Sequence, residues 1–147
     1  MNKQKILKLA LPALLLSAMT FEILPGSVAY YASGTVQTPE AAWNFFTVPV
    51  QGMLLTSLTM AAFVTFVSAV LALVALCFKK PVYNFIGWCS LGAGALTAVP
   101  YMTASAEEFV QPNVVILLIL VASWLIAMHL NKNQNQAEQN ATRGNRL

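Results

Sequence analysis

The chain has 147 residues, 58% of them hydrophobic and 9% charged, with a net charge of +3 and no Asp. A soluble domain, in which about a quarter of residues are charged, could not cover a water-facing surface from this composition, and the mean hydropathy of +0.67 agrees. The basic residues flank apolar runs instead of forming a stripe, which argues against nucleic acid as a partner, and without Asp no Ser-His-Asp set can be assembled. In lipid the backbone must satisfy its own polar groups, which helices do. The expected fold is therefore all-α: a polytopic membrane protein with a four-transmembrane-helix bundle over residues 1–130 and spans near 6–28, 50–78, 82–103 and 113–130.

The first span follows Lys3, Lys5 and Lys8 and carries Glu22, the only acid inside any of these spans. Counting from Lys8 at ~1.5 Å per residue puts Glu22 roughly 21 Å up a hydrocarbon core about 30 Å thick, in its outer third. Pro25 has no amide hydrogen, so a helix continuing through it would free the carbonyl of Phe21 beside Glu22. A carboxylate next to a freed carbonyl can hold a proton or a cation, and intramembrane acids are functional candidates by default. If the helix ends at Leu24, Glu22 is expected at the interface instead, in a structural role. The basic start, apolar run and Ser27-Val28-Ala29 also have the form of a cleavable secretory signal. The length of the run and its interruption by Glu22 favour retention of the span.

The stretch Phe21-Glu22-Ile23-Leu24-Pro25-Gly26-Ser27-Val28-Ala29 resembles the end of the first span in a group of small, uncharacterised four-span bacterial integral membrane proteins. That resemblance implies a bacterial cytoplasmic membrane and brings no activity with it. Small multidrug transporters also have four spans and a first-span acid, but the long outer loop, the Pro-Gly break and the outer position of Glu22 depart from them. They serve as an architectural analogy only.

The first outer loop, about residues 29–48, is too long for a turn. Thr38-Pro39-Glu40 has the marks of a helix start, with an N-cap Thr, Pro in the first turn and an acid at the positive end of the dipole. A short interfacial helix is expected there, with Trp43, Phe45 and Phe46 as a membrane anchor or a partner contact.

In the second span Ser57, Ala61, Thr65 and Ala69 recur at four-residue spacing, and in the third Ser90, Gly94 and Ala98 do the same. Small side chains let helix backbones approach closely where lipid supplies no hydrophobic drive, so spans two and three are expected to pack tightly. The sequences Phe46-Thr47-Val48-Pro49 and Phe109-Val110-Gln111-Pro112 each enter a span, and Leu24-Pro25 and Val99-Pro100 each fall near the end of one. They raise the idea of two equivalent hairpins. From Asn131 onward the Asn- and Gln-rich tail, 131–147, is expected to be disordered.

The positive-inside rule places the amino terminus, Lys79-Lys80 and the tail with Lys132, Arg143 and Arg146 in the cytoplasm. Glu40, Glu107 and Glu108 then face outward with no basic residue beside them. His129 stands alone, Cys77 and Cys89 read as small hydrophobes, and no metal spacing or cofactor motif is present. The expected role is that of a non-enzymatic membrane subunit or accessory protein, acting through helix packing against itself or another membrane protein. The alternative is a small oligomeric transporter or channel that uses Glu22, with Phe21 and Pro25, as a proton or cation site.

Overall fold

The structure, a computed structural model, describes residues 3–32, 41–46, 53–78, 82–103, 108–112 and 114–144. Its body is four helices: α1 (Lys3–Ile23), α2 (Met53–Phe78), α3 (Tyr83–Thr103) and α4 (Val114–Gly144). All four are long and apolar enough to cross a membrane. The 21 residues of α1 and of α3 extend roughly 32 Å, close to the hydrocarbon thickness. The helices close a ring in which α1 packs against α2 and α4, and α3 packs against the same two.

The interior of this bundle is largely apolar, but its exterior is apolar as well. Phe63, Phe66, Phe85, Trp88, Leu118 and Leu125 are exposed, whereas Thr65, Ser68, Ser90, Thr97 and Ser123 are buried. Lipid tolerates such an exterior. The interior hydroxyls stay satisfied because Ser68, Ser90, Thr97 and Ser123 donate to the carbonyls of Val64, Ile86, Ala93 and Ile119, each one helical turn back. These residues therefore act as small packing units with their polarity quenched locally.

The small-residue faces are used within the bundle, though not quite as the sequence suggests. Helices α2 and α3 do pack together, and Ser57, Ala61, Thr65, Ala69 and Ser90 are all buried, but Gly94 looks toward α4. A Cβ built on Gly94 would lie 3.7 Å from Leu117 and 3.8 Å from Leu120. Ordinary contact of this kind accepts one methyl and nothing larger. Gly94→Ala should thus be near neutral, while Gly94→Leu should cost about 1–3 kcal/mol by forcing α3 away from α4, as read by unfolding in mixed micelles.

The outer connections differ from expectation. Where a short interfacial helix is expected, Ala41–Trp43 forms strand β2, which pairs with β1 (Val28–Ala32). On its other edge β1 pairs with β3 (Glu108–Pro112), giving an antiparallel sheet of order β2-β1-β3. Residues 33–40, with the Thr38-Pro39-Glu40 start signal, lie outside the described residues. The physical reason for the strand is that both edges of β1 offer ladder partners, whereas a helix of a few residues would leave its first N–H and last C=O groups unmet. The four-helix body remains all-α, and the sheet closes the end where α1 and α3 finish.

Two further differences concern the chain's ends and halves. Residues 131–144, expected to be disordered, continue α4 as far as Gly144. That segment has no Pro, and its Lys, Gln, Ala and Glu offset the weaker helix propensity of its four Asn, so a helix already nucleated by a span can propagate through it. The two hairpins differ in their connections. Among the described residues two strands lie between α1 and α2 and one, β3, between α3 and α4, and Pro100 is inside α3 while Pro25 follows α1.

Candidate functional site

Glu22 occupies the last turn of α1 and is completely buried. Its setting begins with how the helix stops. The Leu24 N–H still reaches Thr20 O at 3.1 Å, after which Pro25 has no hydrogen to give and the chain turns, with Ser27 N–H donating to Leu24 O at 3.3 Å. Pro25 at the second position and Gly26 at the third, with φ of 88°, make this a type II turn. Only Gly takes that φ without strain. The reversal sends the chain into β1 and leaves the Glu22 carbonyl without its helical donor. Phe45 N–H fills that role at 3.1 Å, helped by the Ser27 hydroxyl at 3.3 Å.

This arrangement replaces the one suggested by the sequence. The helix ends at Ile23, and Pro25 has no N–H to give to the Phe21 carbonyl four residues before it. The Phe21 side chain is 37% exposed, and Pro25 is exposed as well. Neither joins Glu22. The residue that does is Thr65 of α2, whose hydroxyl lies 2.8 Å from Glu22 Oε1. Thr65 stands twelve residues beyond Met53, roughly 18 Å along the axis, so the carboxyl meets α2 near its middle.

The hydrogen count at this pair is informative. Thr65 Oγ1 is also 2.9 Å from Ala61 O, and a hydroxyl owns one hydrogen for two acceptors. Both contacts are full hydrogen bonds together only when the carboxyl carries a proton and donates it to Thr65. In either case Glu22 Oε2 is buried with no hydrogen-bond partner. An orphaned buried oxygen costs about 1–3 kcal/mol of desolvation. In native structures such atoms call for an explanation by strain, chemistry or an absent ligand.

A cleft of about 200 Å³ lies between α1 and α2, lined by Glu22, Met19 and Ile23 of α1, Ala62, Phe63 and Phe66 of α2, and Phe46 from the connection between them, with the Glu22 side chain buried behind its apolar wall. Phe46 closes it by standing edge-on to Phe63, with ring centroids 6.0 Å apart and planes at 86°. Its neighbour Phe45 is fully buried and tied at both ends of its peptide unit, since its carbonyl accepts the Thr59 hydroxyl at 3.2 Å. The adjacent turn is fixed by Phe46 N–H donating to Asn44 Oδ1 at 2.9 Å. Trp43 sits in β2 opposite Val28.

Compared with protein-family models, curated proteins and solved structures, the chain matches none. Its chemistry is therefore carried by its own geometry. Among the described residues no three metal-ligating side chains gather, Cys77 is exposed and Cys89 half-buried, and His129 is exposed. Of the small residues Ser57, Ala61, Thr65, Ala69, Ser90, Gly94 and Ala98, read from the sequence as packing positions, Thr65 is the one bonded to the buried acid among the described residues. Sequence reasoning missed that pairing because the two residues lie 43 positions apart and Thr65 looks like any other small residue on its face.

Proposed function

We propose that the protein is a small ion-coupled transporter or channel of the bacterial cytoplasmic membrane, in which Glu22 takes up and releases a proton or a cation. The observation that supports this most is the buried Glu22 carboxyl, held on one oxygen by Thr65 and left without a partner on the other. A purely structural residue gains nothing from such an oxygen, whereas an exchangeable site needs an oxygen that is free to bind. The membrane-subunit reading keeps less support, because the small-residue faces on which it relied are turned into the bundle. The amino terminus and the end of α4 are assigned to the cytoplasm by Lys3, Lys5, Lys8 and Lys132, with the sheet on the outer side.

The test uses the full chain in sealed vesicles with an imposed potassium diffusion potential. Glu22→Gln preserves shape and can still accept from Thr65 but cannot exchange a proton. Proton flux should fall to that of protein-free vesicles in the variant. Wild-type flux no greater than that of empty vesicles, or an unchanged flux in Glu22→Gln, would refute an ion-coupled role.

A further inference from the structure

The structure assigns α1 a binding site for an anionic phospholipid at the end of the bundle away from the sheet, with the lipid phosphate between Lys5 and Lys8. The site is separate from Glu22 and does not depend on ion coupling. Strand β1 follows α1, and its partner β3 precedes α4. Both helices therefore have one end at the sheet and the other on the far side, where Lys3, Lys5 and Lys8 begin α1 and Lys132 follows the apolar part of α4. At ~1.5 Å per residue, Lys8, Lys5 and Lys3 stand roughly 22, 27 and 30 Å from Ile23, and Lys132 stands roughly 27 Å from Val114. A hydrocarbon core is about 30 Å thick, so these lysines share the depth of one layer of headgroups. Lys3, Lys5 and Lys132 are exposed and Lys8 is half-buried. The acid that α4 carries beyond Lys132 is Glu138, a further ~9 Å away from the lipid, so the lysine charge is not offset at its own level.

Two features of α1 select a phospholipid over a free anion. Lys5 and Lys8 are an i, i+3 pair within the helix, which puts their Cβ atoms about 5–6 Å apart on one side of it, and two such ammonium groups bracket a phosphate. Leu9 and Leu16, at i+4 and i+11 from Lys5, continue that side of α1 toward the sheet, and they are 52% and 43% exposed. A headgroup held by the lysines therefore lays its acyl chains along an apolar stripe of the same helix. The lysine stems stay against lipid while their charged ends reach the phosphate. A choline lipid offers the same phosphate but brings a cation of its own, so an anionic headgroup is favoured.

Titration calorimetry of the full chain in nonionic detergent tests this, with the heat of protein-free micelles subtracted. The probes are dioctanoyl phosphatidylglycerol, dioctanoyl phosphatidylcholine and glycerol 3-phosphate. Wild type should bind the phosphatidylglycerol at least about tenfold more tightly than the phosphatidylcholine at low salt, since each lysine near an anionic headgroup contributes about a fivefold factor. Raising the salt to about 0.5 M should shrink that preference to under about threefold. Lys5→Gln/Lys8→Gln should bring the two lipids to within about twofold at low salt, and glycerol 3-phosphate, which has no acyl chains, should bind far more weakly than either. Equal affinities for the two lipids in wild type would overturn the inference, as would a preference that survives Lys5→Gln/Lys8→Gln. Glycerol 3-phosphate bound as tightly as the phosphatidylglycerol would make this an anion site with no part for lipid. If the double variant is not monodisperse, Lys5→Gln decides, because Lys5 is exposed: a lipid preference unchanged from wild type rejects the site.

Discussion

Phe45→Ala is expected to be the most destabilising single substitution in the half of the molecule that carries the sheet, by about 3 kcal/mol. In soluble cores Phe→Ala costs about 3–5 kcal/mol, and the lower end applies because lipid gives an unfolded membrane segment an apolar refuge. The side chain is completely buried. The peptide unit it steadies supplies the donor to the Glu22 carbonyl and the acceptor for Thr59. Losing the ring therefore loosens two polar contacts along with the packing. Denaturation in mixed dodecylsulfate micelles measures the loss, and Phe46→Ala is the control. Because Phe46 is 46% exposed and packs edge-on to Phe63, its removal should cost less than about 1.5 kcal/mol while widening the cleft.

The second large effect lies in the coupling of Glu22 to Thr65. Thr65→Val keeps the shape of the side chain and strips Glu22 Oε1 of its hydrogen bond, leaving the carboxyl without a partner among the described residues. That should cost about 1–3 kcal/mol. Glu22→Leu removes the buried polar group outright, together with its unpartnered oxygen. It should be neutral or stabilising by up to about 2 kcal/mol, since buried polar groups are often replaceable by apolar ones of similar volume. In the double variant the Thr65→Val penalty should largely vanish, giving a coupling energy of about 1 kcal/mol or more. Flux should be lost in every variant lacking Glu22. A protein that becomes more stable as it becomes inactive is the mark of a residue kept for function against stability. Additive single-variant effects would show that the pair is not coupled.

The helices were legible because lipid imposes one requirement on every residue of a span, and apolar length expresses it directly. Val114 to Leu130 could hardly be anything but a crossing. The strands were not, because β1 forms through partners far along the chain, and nothing within Val28–Ala32 names Glu108–Pro112 as its mate. Glu22 stood out for being an acid where acids are costly. Its depth along α1 could be counted, but its environment could not, since the Leu24–Ser27 turn and the inward Phe45 decide whether the carboxyl meets water or α2. The end of α4 shows the reverse case. Composition alone suggested disorder, while the free energy of extending a helix already made is a local matter that composition obscures.

The separation of Glu22 from its partner also has a consequence for how the protein is made. When α1 leaves the ribosome, Thr65 lies 43 residues further along the chain and is still inside the exit tunnel or unmade. An Asp at the centre of a span costs about 2.5–3.5 kcal/mol on the insertion scale, and Glu22, at the end of its helix, incurs part of such a charge-bearing penalty alone. The Glu22–Thr65 contact therefore becomes available only once α2 has been made, so the carboxyl is first satisfied in the α1–α2 hairpin and not in α1 alone.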